Sequence, residues 1–154
     1  KLQKLLYYAK GFFYVFENET LFDECLKAQK YGPVVQKIVN TVKKYGKEPI
    51  KTEFKHAQSI DDDKIVNFLE FIYQNISLEY TAEKLITLTH NEDPWKKTPE
   101  KSQIDENLVR NFFVDTYLKN IKGNQQIVKN EVLFLALTEY NAFKYKKAYE
   151  VLAQ

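Results

Sequence analysis

The amino-acid sequence predicts a mainly α fold: a single compact domain of about six or seven helices, with one or two short extended segments near residues 26–31 and 50–56. Three observations lead there. Hydrophobic residues make up 44% of the 154 positions and aromatics 15%, enough to build one core without covalent staples. Four glycines and four prolines are too few for a turn-rich β architecture. Along most of the chain the apolar residues recur at the spacing of a helix face.

The opening segment KLQKLLYYAKGFFYVF sets Leu2, Leu5, Leu6, Ala9, Phe12, Phe13 and Phe16 on one face. Tyr7, Tyr8, Tyr14 and Val15 carry apolar surface around the cylinder, which marks this helix as central to the core. Glu17 to Thr20 breaks it, and Leu21 to Gly32 reads as a loop with a short extended piece. Pro33 suits a first helical position, where its missing N–H is no loss. Val34, Val35, Ile38, Val39 and Val42 follow at helical spacing up to Gly46, with Pro49 preventing resumption. Ile50 to Ser59 reads as a strand or a loop. Asp61, Asp62 and Asp63 favour the N-terminal end of a helix, with Ile65, Phe68, Leu69 and Ile72 as its buried stripe. Ser77 or Thr81 caps a further helix in which Leu85, Ile86 and Leu88 point inward. Asp93 before Pro94 disfavours continued helix, so LTHNEDPWKK, Leu88 to Lys97, reads as a corner that Trp95 plugs into the core. Ile104 to Leu118 is helical, with Ile104, Leu108, Phe112 and Val114 or Asp115 near the periodic positions, and Gly123 and Asn124 break it. Residues 1–122 thus form the domain, and residues 123–154 a C-terminal helical extension packed on it.

Lysine and arginine total 23 against 21 acidic residues, a net charge of +2. That near balance argues against an extended phosphate-binding face, and nucleic acid is not expected as a partner. The clusters Lys43, Lys44, Lys47 and Lys144, Lys146, Lys147 interleave with Tyr45 and Tyr145, yet fit the cation-favouring last turn of a helix better than a single-strand groove. No apolar run of the roughly 18 residues that a membrane span requires is present, and no secretory signal is visible. The single Cys25 cannot form an internal disulfide. The expectation is a reducing, cytoplasmic setting with Cys25 buried as a small hydrophobe. With no methionine in the sequence, residues are expected to precede Lys1 in the full reading frame.

The stretch from Thr89 to Trp95 gathers one of two histidines, two carboxylates, a proline and the only tryptophan. A hydrolase using His90 with Glu92 or Asp93 is the enzymatic alternative. No metal or cofactor is expected. Zinc needs three or four converging ligands, and His56, His90 and Cys25 lie far apart, while neighbouring residues at a helix end point in different directions. None of Ser59, Ser77 and Ser102 sits in a glycine-flanked strand–turn–helix context, and the four glycines are too dispersed for a phosphate loop. The aromatic load carries more information. Eleven tyrosines exceed the needs of one core of this size, and tyrosine is favoured at protein interfaces. Tyr117, Tyr140, Tyr145 and Tyr149 are therefore candidate partner-binding residues.

Three segments, in order, resemble the SocA-like antitoxin family, also called the Panacea domain and often described as phage-associated GepA-like proteins. They are KLQKLLYYAKGFF from Lys1 to Phe13, LKAQKYGPVVQKIVNTVKKYG from Leu26 to Gly46, and LITLTHNEDPW from Leu85 to Trp95. The matching positions are Lys1, Leu2, Gln3, Lys4, Leu5 and Tyr7 in the first, Tyr31, Gly32, Pro33 and Val34 in the second, and Thr89, His90, Asp93, Pro94 and Trp95 in the third. Family members usually carry another helix ahead of the first motif, and many have Trp in the corner where this chain reads Ala28-Gln29-Lys30. The resemblance implies a non-enzymatic antitoxin that binds and neutralises a partner toxin of a bacterial or phage toxin–antitoxin system. In the SocA type it implies an adaptor that delivers the toxin to the ClpXP protease. It brings no catalytic residues.

Overall fold

The computed structural model describes residues 1–46, 48–50 and 58–121, the stretch 117–121 by its backbone alone. Six α-helices and one β-hairpin make up these residues, and the fold is mainly α. The helices are α1 (Leu2–Glu17), α2 (Gln36–Val42), α3 (Asp63–Ile72), α4 (Ala82–His90), α5 (Asp93–Lys96) and α6 (Glu106–Ile121). The strands are β1 (Leu26–Gln29) and β2 (Gly32–Val35). None of the described helices is long and apolar enough to cross a membrane.

Helix α1 runs through the middle of the molecule, with Tyr7 to Tyr14 buried without a break. It ends where Asn18 takes a left-handed conformation, φ 56°, and bonds back to the Tyr14 carbonyl. Around it pack the hairpin, α6, α3 and α4. The centre is aromatic. Phe113 of α6 meets Tyr7, Tyr8 and Phe12 edge-on, with centroids 5.4, 6.1 and 5.3 Å away. On another side Phe13 meets Phe68 at 5.0 Å. Gly11 makes the close approach of α6 possible, because a Cβ there would lie 2.3 Å from the Phe113 ring.

Local chemistry accounts for the other ends. Asp62 caps α3 by accepting from the Lys64 and Ile65 amides, and Thr81 caps α4 by accepting from Lys84. A wider π-helical turn, Tyr73–Ser77, extends α3 and buries Ile76. Tyr80 is buried as well.

Several expectations are corrected. Pro33 does not start a helix; it lies in β2, and α2 begins at Gln36. Antiparallel pairing explains why. Pro33 stands opposite Ala28, whose N–H and C=O both turn away from β2, to Ser102 and Lys101. The pair makes no ladder bonds, so proline's missing N–H breaks none. On α6 the fully inward residues are Val109 and Phe113, with Leu108 and Phe112 half-buried beside them. Cys25 is exposed rather than buried. The extended segment expected near 26–31 is β1 and the hairpin turn. The one expected near 50–56 falls, but for Ile50, outside the described residues, as does the extension 123–154.

Gly11→Ala weighs two effects of opposite sign. Alanine improves helix propensity by about 1 kcal/mol, whereas overpacking a core costs about 1–3 kcal/mol. With Phe113 facing a contact of 2.3 Å, the clash should prevail, and urea denaturation should show a net loss of stability. A stabilised variant would mean that α6 can retreat freely.

Candidate functional site

All three motif segments meet at the hairpin. An edge strand exposes unpaired backbone groups, and on β2 two side chains of α1 cover them. The Gln3 amide accepts from the Val35 N–H at 2.8 Å and donates to the Val35 carbonyl at 3.4 Å. The Lys4 ammonium donates to the Pro33 carbonyl at 2.9 Å. The other edge is covered by chain: Ala28 and Leu26 exchange backbone bonds with Lys101, Ser102 and Ile104. Between the strands the turn is only Lys30 and Tyr31. Gly32 closes it at φ 99°, where a Cβ would stand 2.7 Å from both Lys4 Cε and Thr89 Oγ1. Glycine is required there twice over, for backbone angle and for space.

The corner after α4 grips the same turn. His90 ends α4 and Glu92 precedes α5, where Pro94 sits in the first turn, a place that needs no N–H. Trp95 donates its indole N–H to the Gln29 carbonyl at 2.9 Å. The His90 ring lies flat on Trp95, centroids 4.0 Å apart at 11°. Its Nε2 is buried with no hydrogen-bond partner among the described residues. Burial, and then the nearby Lys4 charge, hold the His90 pKa below the usual imidazole value, against the opposing pull of the Lys30 backbone.

Beneath the turn lies Glu92, 3% exposed. Its two carboxylate oxygens accept separately from the Tyr7 and Tyr8 hydroxyls, at 2.6 and 2.7 Å. Consecutive residues on a helix point about 100° apart, and the two rings, edge to face at 5.2 Å, converge on one carboxylate because it offers two oxygens. Burial, then the Glu92 charge, raise the Tyr7 pKa well above the ordinary phenol value, so it stays a donor. Burial lowers Lys4 to about 8.

A second buried cation fixes the far half of α1. Lys10, 2% exposed, donates to the Phe22 carbonyl at 2.7 Å and the Glu24 carbonyl at 3.2 Å, and pairs with Glu106 at 3.0 Å. The Tyr14 hydroxyl also donates to Glu106, and burial followed by that bond pushes its pKa up to about 12.

Of the other motif residues, Lys1 is exposed and its ammonium reaches the Ser77 carbonyl, while Leu2 and Leu5 are half-buried. Val34 and Thr89 are buried, and the Thr89 hydroxyl donates to the Ile86 carbonyl at 3.0 Å. Asp93 pairs with Lys97 at 2.8 Å. Tyr31, by contrast, is 62% exposed. His90, Glu92 and Asp93 therefore each face a different partner. Among the described residues no three His, Cys, Asp or Glu side chains gather as a metal site requires. The Tyr117 side chain and residues Tyr140, Tyr145 and Tyr149 lie outside what is described. Sequence reasoning missed Tyr8, Lys10 and the receiving role of Glu92. The available signal was a run of polar groups, Gln3, Lys4, Tyr7, Tyr8 and Lys10, on a helix otherwise marked as core.

Two measurements check this geometry. Glu92→Ala leaves two buried hydroxyls without their acceptor and, at about 1–3 kcal/mol for each unsatisfied group, should cost roughly 2–6 kcal/mol in urea denaturation. Tyr7→Phe in the native background should cost about 1.5–3 kcal/mol, as for a bond to a charged group, and nearly nothing in the Glu92→Ala background. Equal losses in both backgrounds would show the bond to be energetically idle. For His90, the unfolded ring takes up its proton at higher pH than the folded one. Its contribution is present above the unfolded value near 6.5 and is lost as pH falls toward the folded value. Thermal melts should therefore show native protein losing more stability between pH 7 and 5 than His90→Phe, which keeps a ring on Trp95. Parallel pH curves would refute the burial of a neutral imidazole.

The family described as "Antitoxin SocA-like, Panacea domain" matches residues 2–96, a span that holds every side chain clamping the hairpin tip. No curated protein and no solved structure matches. The chain belongs to the SocA-like antitoxin family, as a Panacea domain.

Proposed function

We propose that this chain is an antitoxin that neutralises a partner toxin by binding it, within a bacterial or phage toxin–antitoxin system in the cytoplasm, and that it acts without catalysis. One observation carries the reading beyond family membership. The polar motif side chains are turned inward on structural partners: Gln3 and Lys4 on β2, Tyr7 and Tyr8 on Glu92, Trp95 on the Gln29 carbonyl. The motif builds a rigid scaffold, and a scaffold suits a binding module. A hydrolase would instead need His90 and a carboxylate aimed at a common reacting atom; Glu92 is engaged by two tyrosines and Asp93 by Lys97. Delivery of the bound toxin to ClpXP is the finer form of the proposal. The extension from Gly123 onward, and Tyr117, Tyr140, Tyr145 and Tyr149, are its proposed contributors to partner choice.

Co-expression with the product of the adjacent reading frame tests it. Growth arrest by that product should be relieved and the two chains should co-purify, and toxin lifetime should shorten only where ClpXP is present if delivery occurs. Neighbouring products that are all harmless, or that never co-purify, would reject the antitoxin reading. An unchanged toxin lifetime would reject delivery alone.

A further inference from the structure

We infer that the hairpin tip, Lys30–Tyr31, is the anchor by which this chain docks on its toxin, and that the toxin presents an acidic surface around an apolar slot for the Tyr31 ring. The inference rests on the antitoxin reading above.

The first ground is rigidity without burial. Single exposed apolar side chains are common and need no explanation by themselves. Tyr31 is different, because the chain on both sides of its turn is held. Gln29 is fixed through its carbonyl by Trp95, and Gly32 is enclosed by the close approach of Lys4 and Thr89. Pro33 is bonded by Lys4, and Val35 by Gln3. Segments separated by most of the domain thus converge to immobilise a turn of two residues, one of them a tyrosine with 62% of its surface in solvent. A turn presented this way loses little further backbone freedom on binding, and tyrosine is among the residues that dominate interface energies. Tyr73, 54% exposed on the π-helical turn and outside the three motif segments, serves as the internal control.

The second ground is charge. The hairpin from Leu26 to Val35 contains Lys27 and Lys30 and no carboxylate. Lys30 Nζ sits 5.5 Å from the Tyr31 ring centroid, so cation and ring are offered together. The flanking segments add to this. Trp95, bonded to Gln29, is followed by Lys96 and Lys97, and Lys101 bonds the Ala28 carbonyl. Against them stand Asp93, already paired with Lys97, and Glu100. In a chain whose overall charge is only +2, this end is locally cationic. An acidic protein surface complements it and would be steered onto it.

The test uses the full chain and the purified product of the adjacent toxic reading frame, with affinity measured by calorimetry at low and high salt. Tyr31→Ala should weaken binding by roughly 30-fold or more, the loss that marks an interface hot spot, with an unchanged melting temperature. Lys30→Glu should weaken it about tenfold at low salt, and less at high salt. Tyr73→Ala should bind as the native chain does. Native binding that survives Tyr31→Ala overturns the tip and leaves the antitoxin reading standing. Affinity indifferent to salt and to Lys30→Glu overturns the acidic surface. A melting temperature several degrees lower in Tyr31→Ala would mean that the chain's own residues cover the ring, and overturns the proposal. So does a native dimer in sedimentation that Tyr31→Ala dissolves. Failure of the native chain to bind at all rejects the antitoxin reading and this anchor with it.

Discussion

A carboxylate buried at 3% exposure is tolerable only when its charge is met by donors, and Glu92 meets two. Its bonds to Tyr7 and Tyr8 span 85 and 84 residues of sequence, and they tie the central helix to the corner that follows α4. Most of the motif geometry depends on that tie. It fixes the position of α5, hence the Trp95 indole, hence the strand carbonyl that the indole holds. The same two tyrosine rings pack on Phe113, so one pair of side chains serves apolar and polar contacts together, as a ring with a polar tip allows. The Tyr7 phenol remains a protonated donor because burial and the adjacent charge oppose its ionisation.

The hairpin shows how a two-stranded sheet survives in a helical protein. Alone it would be marginal and would offer two open edges. Here one edge is closed by residues 101–104 and the other by the Gln3 and Lys4 side chains, which stand in for a third strand. Lys4 bears a cost for this. Its ammonium is nearly buried, and its affinity for a proton falls to about 8. A neutral side chain could not donate so strongly to the Pro33 carbonyl, and a shorter one could not reach it. Consequently the residues that look most reactive, Lys4, His90 and Glu92, are each occupied with a structural partner: the Pro33 carbonyl, the Trp95 ring, and the Tyr7 and Tyr8 hydroxyls. The turn they hold is the part of the motif that faces outward.

Much of the fold was legible. Helices α1, α3, α4 and α6 follow from apolar spacing, and the Asp62 and Thr81 caps follow from side-chain chemistry, because both are properties of a few adjacent residues. The family was legible from three short motifs, since the order of unusual residues is itself sequence information. The corner at Asp93–Pro94 was legible as a turn, although it closes as one short helix rather than irregular chain.

What the sequence could not decide was parity and partnership. Pro33 fits a helix start or a strand position equally well by composition, and only the pairing of Ala28 with Pro33, away from the ladder bonds, makes the strand cheaper. Leu108 and Val109 are both apolar, and the angle at which α6 meets α1 over Gly11 chose Val109 and Phe113 as the inner face. His90, Glu92 and Asp93 read as a cluster because they are close in sequence, yet their partners, Trp95 for the first, Tyr7 and Tyr8 for the second and Lys97 for the third, set them on separate tasks. Local spacing determined the helices and the family. The tertiary structure decided which polar groups are buried and which tyrosine stands in solvent, because burial is a relation between distant segments that no single window of sequence contains.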